Sequence, residues 1–412
     1  MSYRSLVKLF HMDRSNDRYE RCATLARQRL AAESTFRTDI QANNNELFLA
    51  VPRELTLLTD DVMRGERAVC DSLRALPPVA RGALVRDLVT REVVCTNELE
   101  GIHSTRRQIL MQLETPREDS TGERRFRELA RLYLDLSREG VALPRTPDDI
   151  RRIYDGVMSG EPLSEAELPD GRLFRRNKVE IIGDGLEVVH EGLHPEERII
   201  DCMQRMLSLM HTGAMPEMFA AIASHFVFEF AHPFYDGNGR TGRYLLALFL
   251  RPTLSVPTTL TLSRAMAENH GSYYRSFREA ENPLNYGELT PFVLNILGYI
   301  RNAQDDLIED MGEKSARLAA AETRLGTLAD ELDLTEPQAR VLSSLAQTAL
   351  FGAFPDVSLS DLASFAGLGT QQARRHAARL EELGLLEVRD RRPLRFTLDP
   401  RCVSMLDVER PE

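Results

Sequence analysis

The stretch His232-Pro233-Phe234-Tyr235-Asp236-Gly237-Asn238-Gly239-Arg240-Thr241-Gly242-Arg243 lies between two apolar runs, Ala223 to Phe230 before it and Tyr244 to Leu250 after it. Two buried helices joined by a polar loop is the simplest reading of that alternation. Gly237 and Gly239 carry no Cβ, so the backbone there can take positive φ and let a ligand approach its amides. Those amides open the second helix, where the first N–H groups lack internal partners and the dipole favours anions. Phosphate is the expected guest. Arg240 and Arg243, three apart, project from one helix face, and two guanidinium forks suit adjacent phosphates of a nucleotide tail. Asp236 is placed to hold a Mg²⁺ that keeps most of its waters and bridges phosphate oxygens. His232 can accept a proton near neutral pH, and Phe234 is expected to anchor the loop in the core. Base, metal carboxylate and phosphate cradle together describe transfer of part of a nucleoside triphosphate to a hydroxyl.

The loop resembles the signature of the Fic (filamentation induced by cyclic AMP) family, His-x-Phe-x-(Asp/Glu)-Gly-Asn-Gly-Arg-x-x-Arg, at every fixed position. The resemblance covers roughly residues 46 to 300. It implies a mainly α fold and AMPylation, in which a protein hydroxyl attacks the α-phosphate of ATP and pyrophosphate leaves. His232 is then the general base and Asp236 the Mg²⁺ ligand. The amides of Gly237, Asn238, Gly239, Arg240, Thr241, Gly242 and Arg243 form the anion nest, with Arg240 and Arg243 on the polyphosphate. The acceptor is a Ser, Thr or Tyr hydroxyl of a target protein or of the enzyme itself.

A second stretch, Thr96-Asn97-Glu98-Leu99-Glu100-Gly101, ends a helix expected from about Ala80. Its carboxylates sit in the last turn, where the dipole disfavours anions, so they need a cation. A local bridge to Arg106 or Arg107 is one answer. The stretch also resembles the family's inhibitory pattern (Ser/Thr)-x-x-x-Glu-(Gly/Asn). By that resemblance Glu100 pairs with Arg243 and occupies the space of the γ-phosphate, or, in the reverse reaction, positions water to remove AMP from a target.

At 412 residues, with 42% hydrophobic and 28% charged residues and a net charge of −11, the chain reads as a multidomain globular protein and not a general polyanion binder. Five scattered cysteines without CxxC spacing argue for reduced thiols and against zinc. Neither a signal peptide nor a membrane-length apolar run is evident, so a cytoplasmic protein without membrane contact is expected.

Four regions are expected. Residues 1–110 are an N-terminal helical region ending in the inhibitory helix, with a loose arm first, a break at Asn43-Asn44-Asn45 and helical spacing from Glu46 to Leu76. Residues 111–301 are the catalytic core, its last helix running from about Gly287 to Arg301. Within it, Val179–Ile182 and Leu186–Val189 flank Gly183-Asp184-Gly185, a hairpin signal. By the resemblance, this hairpin, residues 179–189, is a flap whose strand edge docks the target protein. His225 reads as structural; Tyr273 and Tyr274 fit either core or nucleotide. Residues 302–334 are a linker helix with a short seam, Met311, Leu318, Leu325 and Leu332, suited to a homodimer or to its own core.

Residues 335–412 read as a winged helix-turn-helix, with one helix over Pro337–Ala349, a second capped by Ser360-Asp361, and a third over Thr370–Leu383. A hairpin follows around Asp390-Arg391-Arg392-Pro393. Arg374, Arg375 and Arg379 on the third helix and Arg389, Arg391, Arg392 and Arg395 on the wing make a basic face for DNA or for protein docking.

Overall fold

The computed structural model describes residues 3–114, 125–138, 140–182 and 188–409. The chain is mainly helical and forms two compact units, residues 1–67 with 91–304 and residues 68–90 with 305–412. In chain order the first elements are α1 (Leu6–Met12), α2 (Arg18–Ala31), β1 (Thr35–Ala42), β2 (Asn45–Ala50), α3 (Arg53–Ala75) and α4 (Pro78–Leu99). Next come α5 (Arg106–Glu114), α6 (Arg127–Asp135), α7 (Pro147–Val157), β3 (Glu180–Ile182), β4 (Val188–Glu191) and α8 (Glu196–His211). The centre is α9 (Glu217–Ala231) and α10 (Asn238–Leu250), followed by α11 (Val256–Thr259), α12 (Leu262–Glu268), α13 (His270–Glu281) and α14 (Thr290–Glu331).

The expectation for the first fifty residues is corrected. Two helices precede an antiparallel hairpin, β1–β2, with Thr35 opposite Ala50 and Ala42 opposite Asn45. Asn43 and Asn44 form its two-residue turn at φ 50° and 64°, a left-handed conformation that asparagine tolerates. Leu47, Phe48 and Leu49 are all buried, and Phe48 also bonds to Gly287 and Leu289 on either side of Glu288. A short run of consecutive buried apolar residues has no alternation, which is why it passes for the start of a helix.

α9 and α10 are buried almost all round, as expected of the two apolar runs. Phe226, Phe277 and Phe292 pack around His225 and Tyr273, tying α9 to α13 and the start of α14. Glu66 supports the far end of α10: it accepts from Ser255 N, Thr258 Oγ1 and Gln304 Nε2 at 2.8–2.9 Å. The hairpin β3–β4 is present, with Ile181 opposite His190; its Gly183-Asp184-Gly185 turn lies outside the described residues.

α14 is one helix of 42 residues, so the core helix expected to end near Arg301 continues to Glu331, and the two compact units divide within it, between residues 304 and 305. No proline interrupts it, and Gly312 and Gly326 meet open space. In the second unit, Leu307, Met311, Leu318, Ala321, Leu325 and Leu328 are buried and Leu332 is 40% exposed. The seam is therefore covered from within that unit.

The second unit continues with α15 (Glu336–Phe351), β5 (Val357–Ser358), α16 (Leu359–Ala366), α17 (Thr370–Glu382), β6 (Leu386–Arg391), β7 (Leu394–Leu398) and α18 (Pro400–Leu406). The sheet order is β5-β7-β6, all antiparallel. Ser358, not Ser360, caps α16, its hydroxyl accepting from Asp361 N at 3.1 Å. Arg395 leaves the basic face: it is buried and paired with Asp356. Arg379 is exposed but pairs with Glu382 at 2.9 Å.

Candidate active site

The site is built where α9 ends and α10 begins, within the first unit. His232 caps α9 in the left-handed region, φ 47° and ψ 62°, with its N–H on Phe228 O. Phe234 is fully buried and stacks on Tyr154, ring centroids 3.6 Å apart, so it anchors the loop as expected. Asn238 closes the loop from both sides. Its Oδ1 accepts from Phe234 N at 2.9 Å and its Nδ2 donates to Phe234 O at 2.8 Å. The side chain of Asn238 is therefore used within the loop, and only its main-chain amide is left for a ligand.

Gly237 is the N-cap of α10, at φ 76°, where a residue with a Cβ is strained. Thr241 N already donates to Gly237 O at 3.1 Å. The helix ladder thus takes up the amides from Thr241 onward, and the open donors are those of Gly237, Asn238, Gly239 and Arg240. This narrows the expected nest. Gly242 instead serves packing: a Cβ there would meet the Glu229 carboxylate and Phe228.

Arg240 is 1% exposed and lies 3.1 Å from Glu161 and 3.4 Å from Asp236. Glu161 is shared with Arg125 at 3.1 Å. The Nε of Arg240 is buried with no hydrogen-bond partner among the described residues. An unsatisfied guanidinium donor beside open helix amides is what an anionic ligand would complete. Asp236 keeps its carboxylate 42% exposed, next to those amides.

Arg243 is buried and bonded to the end of α4. Its Nε donates to Thr96 Oγ1 at 2.8 Å, and its Nη2 to Thr96 O at 3.0 Å and Glu100 Oε1 at 2.6 Å. α4 delivers both partners from one face, because residues 96 and 100 are one turn apart. The helix stops at Leu99, with Gly101 at φ 69°. Burial opposes the charge of Arg243, but the nearby anions, Glu100 first, more than restore it and hold its pKa above the ordinary value. The cation required by the carboxylate at the end of α4 is thus Arg243, reached across the fold.

His232 is held neutral: burial, then the neighbouring His190 and Arg175, push its pKa down to about 3. Its Nδ1 is buried without a hydrogen-bond partner among the described residues. His225 is also pushed to about 3 by burial and then Arg243, and it bonds Tyr273 Oη at 2.8 Å and Gly242 O at 3.2 Å, the structural role expected of it. Tyr273 is core, whereas Tyr274 donates to Leu99 O at 3.3 Å, beside Glu100. Glu229, one turn before His232, is half-buried with its Oε1 enclosed, and the desolvation of its carboxyl raises its pKa to about 8.

Two functional neighbours escaped the sequence reading. Arg175 is fully buried and braces the loop through carbonyls, donating to His232 O at 2.7 Å, Asn177 O at 2.6 Å and Leu193 O at 2.8 Å. Its only sequence signal is the Gly171–Arg175 run ahead of the hairpin. His190, on β4, bonds Glu281 at 2.7 Å and sets its ring 6.0 Å from that of His232.

A buried helix pair is thus joined by a loop that brings together a neutral imidazole, open helix amides and two arginines. The chain carries a Fic/DOC family domain: the family model matches residues 144–250. Protein adenylyltransferase Fic of Drosophila ananassae is 31% identical over 125 residues, covering 30% of this chain and 22% of that protein. Protein adenylyltransferase fic-1 of Caenorhabditis briggsae is 38% identical over 82 residues, 20% and 14% of the two chains. The chain therefore matches less than a quarter of the length of either relative. A crystal structure of a Fic family protein from Desulfovibrio desulfuricans G20 covers 85% of this chain and 97% of its own, at 20% identity and a TM-score of 0.49. Among the described residues, no helix is long and apolar enough to cross a membrane.

Proposed function

We propose that the protein transfers AMP from ATP to a hydroxyl of a target protein or of itself, and that Glu100 holds this activity in check. The observation that carries the reading is the pairing of a base, His232, with the open amides of residues 237–240 and the unbonded Nε of Arg240. The polyphosphate would lie over those amides and against Arg240 and, once Glu100 has moved, Arg243. The acceptor oxygen forms a bond to the α-phosphorus while the bond from that phosphorus to the bridging oxygen breaks. Pyrophosphate leaves with the electron pair, and the hydroxyl proton passes to the neutral imidazole of His232. The loop, braced by Arg175 and Asn238, keeps that imidazole in place.

Asp236 fits a Mg²⁺ that takes most of its remaining ligands from water and phosphate: it is a single hard carboxylate, half exposed, at the edge of the amides. Such an ion would neutralise charge on the polyphosphate. The flap β3–β4 suits a docked protein segment, because a two-stranded ribbon leaves strand edges free and exposes Ile181 and Val188.

The test is transfer of α-labelled AMP by the wild-type protein, Glu100→Gly, and Glu100→Gly with His232→Ala. Label on protein in the second sample alone supports transfer, its restraint and the base together. Label in the third sample refutes the base. No label in any, with AMP released from a modified protein by the wild type, would assign the reverse reaction.

A further inference from the structure

Residues 359–382 form a helix-turn-helix. α16 ends at Ala366, Gly367 takes φ 65°, and α17 begins at Thr370 after a turn of three residues. Two helices joined in this way present the second to the major groove of DNA. α17 buries Ala373, Ala377 and Leu380 and leaves Gln371, Arg374, Arg375 and Ala378 exposed. It packs against β6, whose hairpin with β7 exposes Arg389, Arg391 and Arg392.

These arginines lack the carboxylates that neutralise several others. Some helical arginines elsewhere meet carboxylates one turn away, such as Arg64 with Asp60 and Asp61, Arg74 with Asp71 and Arg205 with Asp201. One turn from Arg374 and Arg375 the sequence offers only Thr370, Gln371, Gln372, Ala377, Ala378 and Arg379. Arg374, Arg375, Arg389, Arg391 and Arg392 have no ion pair among the described residues. The wing carries two carboxylates, Glu387 and Asp390, of which Asp390 accepts from Arg392 N at 3.0 Å. Five uncompensated cations on one helix face and its neighbouring hairpin stand out in a chain of net charge −11. We infer that this surface binds double-stranded DNA, with α17 in the major groove and the wing arginines on the backbone. The small side chain of Ala378 lets the helix approach closely. A-form RNA is a poor fit, because its major groove is too narrow for a helix.

The experiment is fluorescence anisotropy of the full chain with a labelled 30-base-pair duplex of mixed sequence, from 25 to 200 mM KCl. Binding should weaken with salt at a slope of about −0.9 per phosphate contacted. Arg374→Ala with Arg375→Ala should weaken binding at least tenfold and flatten the slope, as should Arg391→Ala with Arg392→Ala. Arg64→Ala, an exposed and paired arginine, should leave it unchanged. All five substituted side chains are solvent-facing, and unchanged melting curves would confirm intact folding. The inference is overturned by absence of binding at 25 mM KCl, by equal binding in all variants, or by equal competition from duplex RNA.

Discussion

Glu100 Oε1 accepts from Arg243 Nη2 at 2.6 Å across 143 residues of chain, and the same carboxylate covers Gly239, where an added Cβ would collide with it. One side chain thus neutralises the arginine and lies over the open helix amides. Thr96 supplies two further acceptors, so the Nε and Nη2 donors of Arg243 are engaged without any ligand. A polyphosphate arriving at those amides has to displace an anion already there.

Replacing Glu100 by Gly should therefore raise AMP transfer. A charge-assisted hydrogen bond contributes about 1.5–3 kcal/mol, so the gain expected is roughly ten- to a hundredfold in kcat/KM for ATP. The variant should also melt lower than the wild type, because Arg243 loses a partner while remaining buried, and ATP should restore much of the difference. Unchanged transfer and an unchanged ATP-induced shift would remove Glu100 from any regulatory role.

Gly239→Ala tests the amides themselves. Its Cβ would point at the Glu100 carboxylate and at Arg243 Nη1, so the carboxylate has to retreat. If displacement of Glu100 were sufficient, this change would activate. The methyl also occupies the approach to the amides, and a misplacement near 1 Å costs on the order of 100-fold in rate. Low transfer by Gly239→Ala, persisting after Glu100→Gly is added, is the expected result in the labelled-ATP assay.

Much of this site was legible because its chemistry is local. His232, Asp236, the glycines and both arginines lie within twelve residues between two apolar runs, and the odd carboxylate at the end of α4 announced its need for a cation. Arg175 and His190 were not legible, since their contacts to His232 span 57 and 42 residues and leave no periodic trace. The Leu47–Leu49 run lacked alternation because both sides of its strand are covered. Arg395 looked like its exposed neighbours on the wing, and only the fold pairs it with Asp356. The nest also narrowed for a geometric reason, the helix ladder using every amide after Arg240.

Arg175→Met should loosen the catalytic loop. The change leaves the carbonyls of His232, Asn177 and Leu193 without their donor; Asn177 is exposed and can turn to water, and each of the other two costs about 1–3 kcal/mol. A fall in Tm of about 2 °C or more is expected. In the Glu100→Gly background, kcat should fall more than ATP affinity, because the histidine rather than the phosphate cradle moves. Equal loss of both would mean that Arg175 supports the whole site without discrimination.

The pH dependence of stability should report Glu229. In the folded protein burial holds its carboxyl near 8, Arg243 working against this and Glu100 with it, whereas in the unfolded chain it titrates near 4.5. Between those values the native state keeps a proton that the unfolded state has lost, so stability falls as pH rises through this window. His225 and His232, both near 3 when folded, act in the opposite sense but only below the ordinary histidine value of 6.5. The range from 6.5 to 8.5 therefore isolates the buried acids, of which Glu92, near 7, is the other and is common to both proteins. Glu229→Gln preserves the neutral shape and does not titrate. Its Tm should match that of the wild type near pH 5 and exceed it by about 1 °C or more at pH 8.5, what roughly 1 kcal/mol gives in a chain of 412 residues. Parallel melting curves across that range would show that Glu229 is ionised in the folded protein and that Arg243 is shared between two carboxylates.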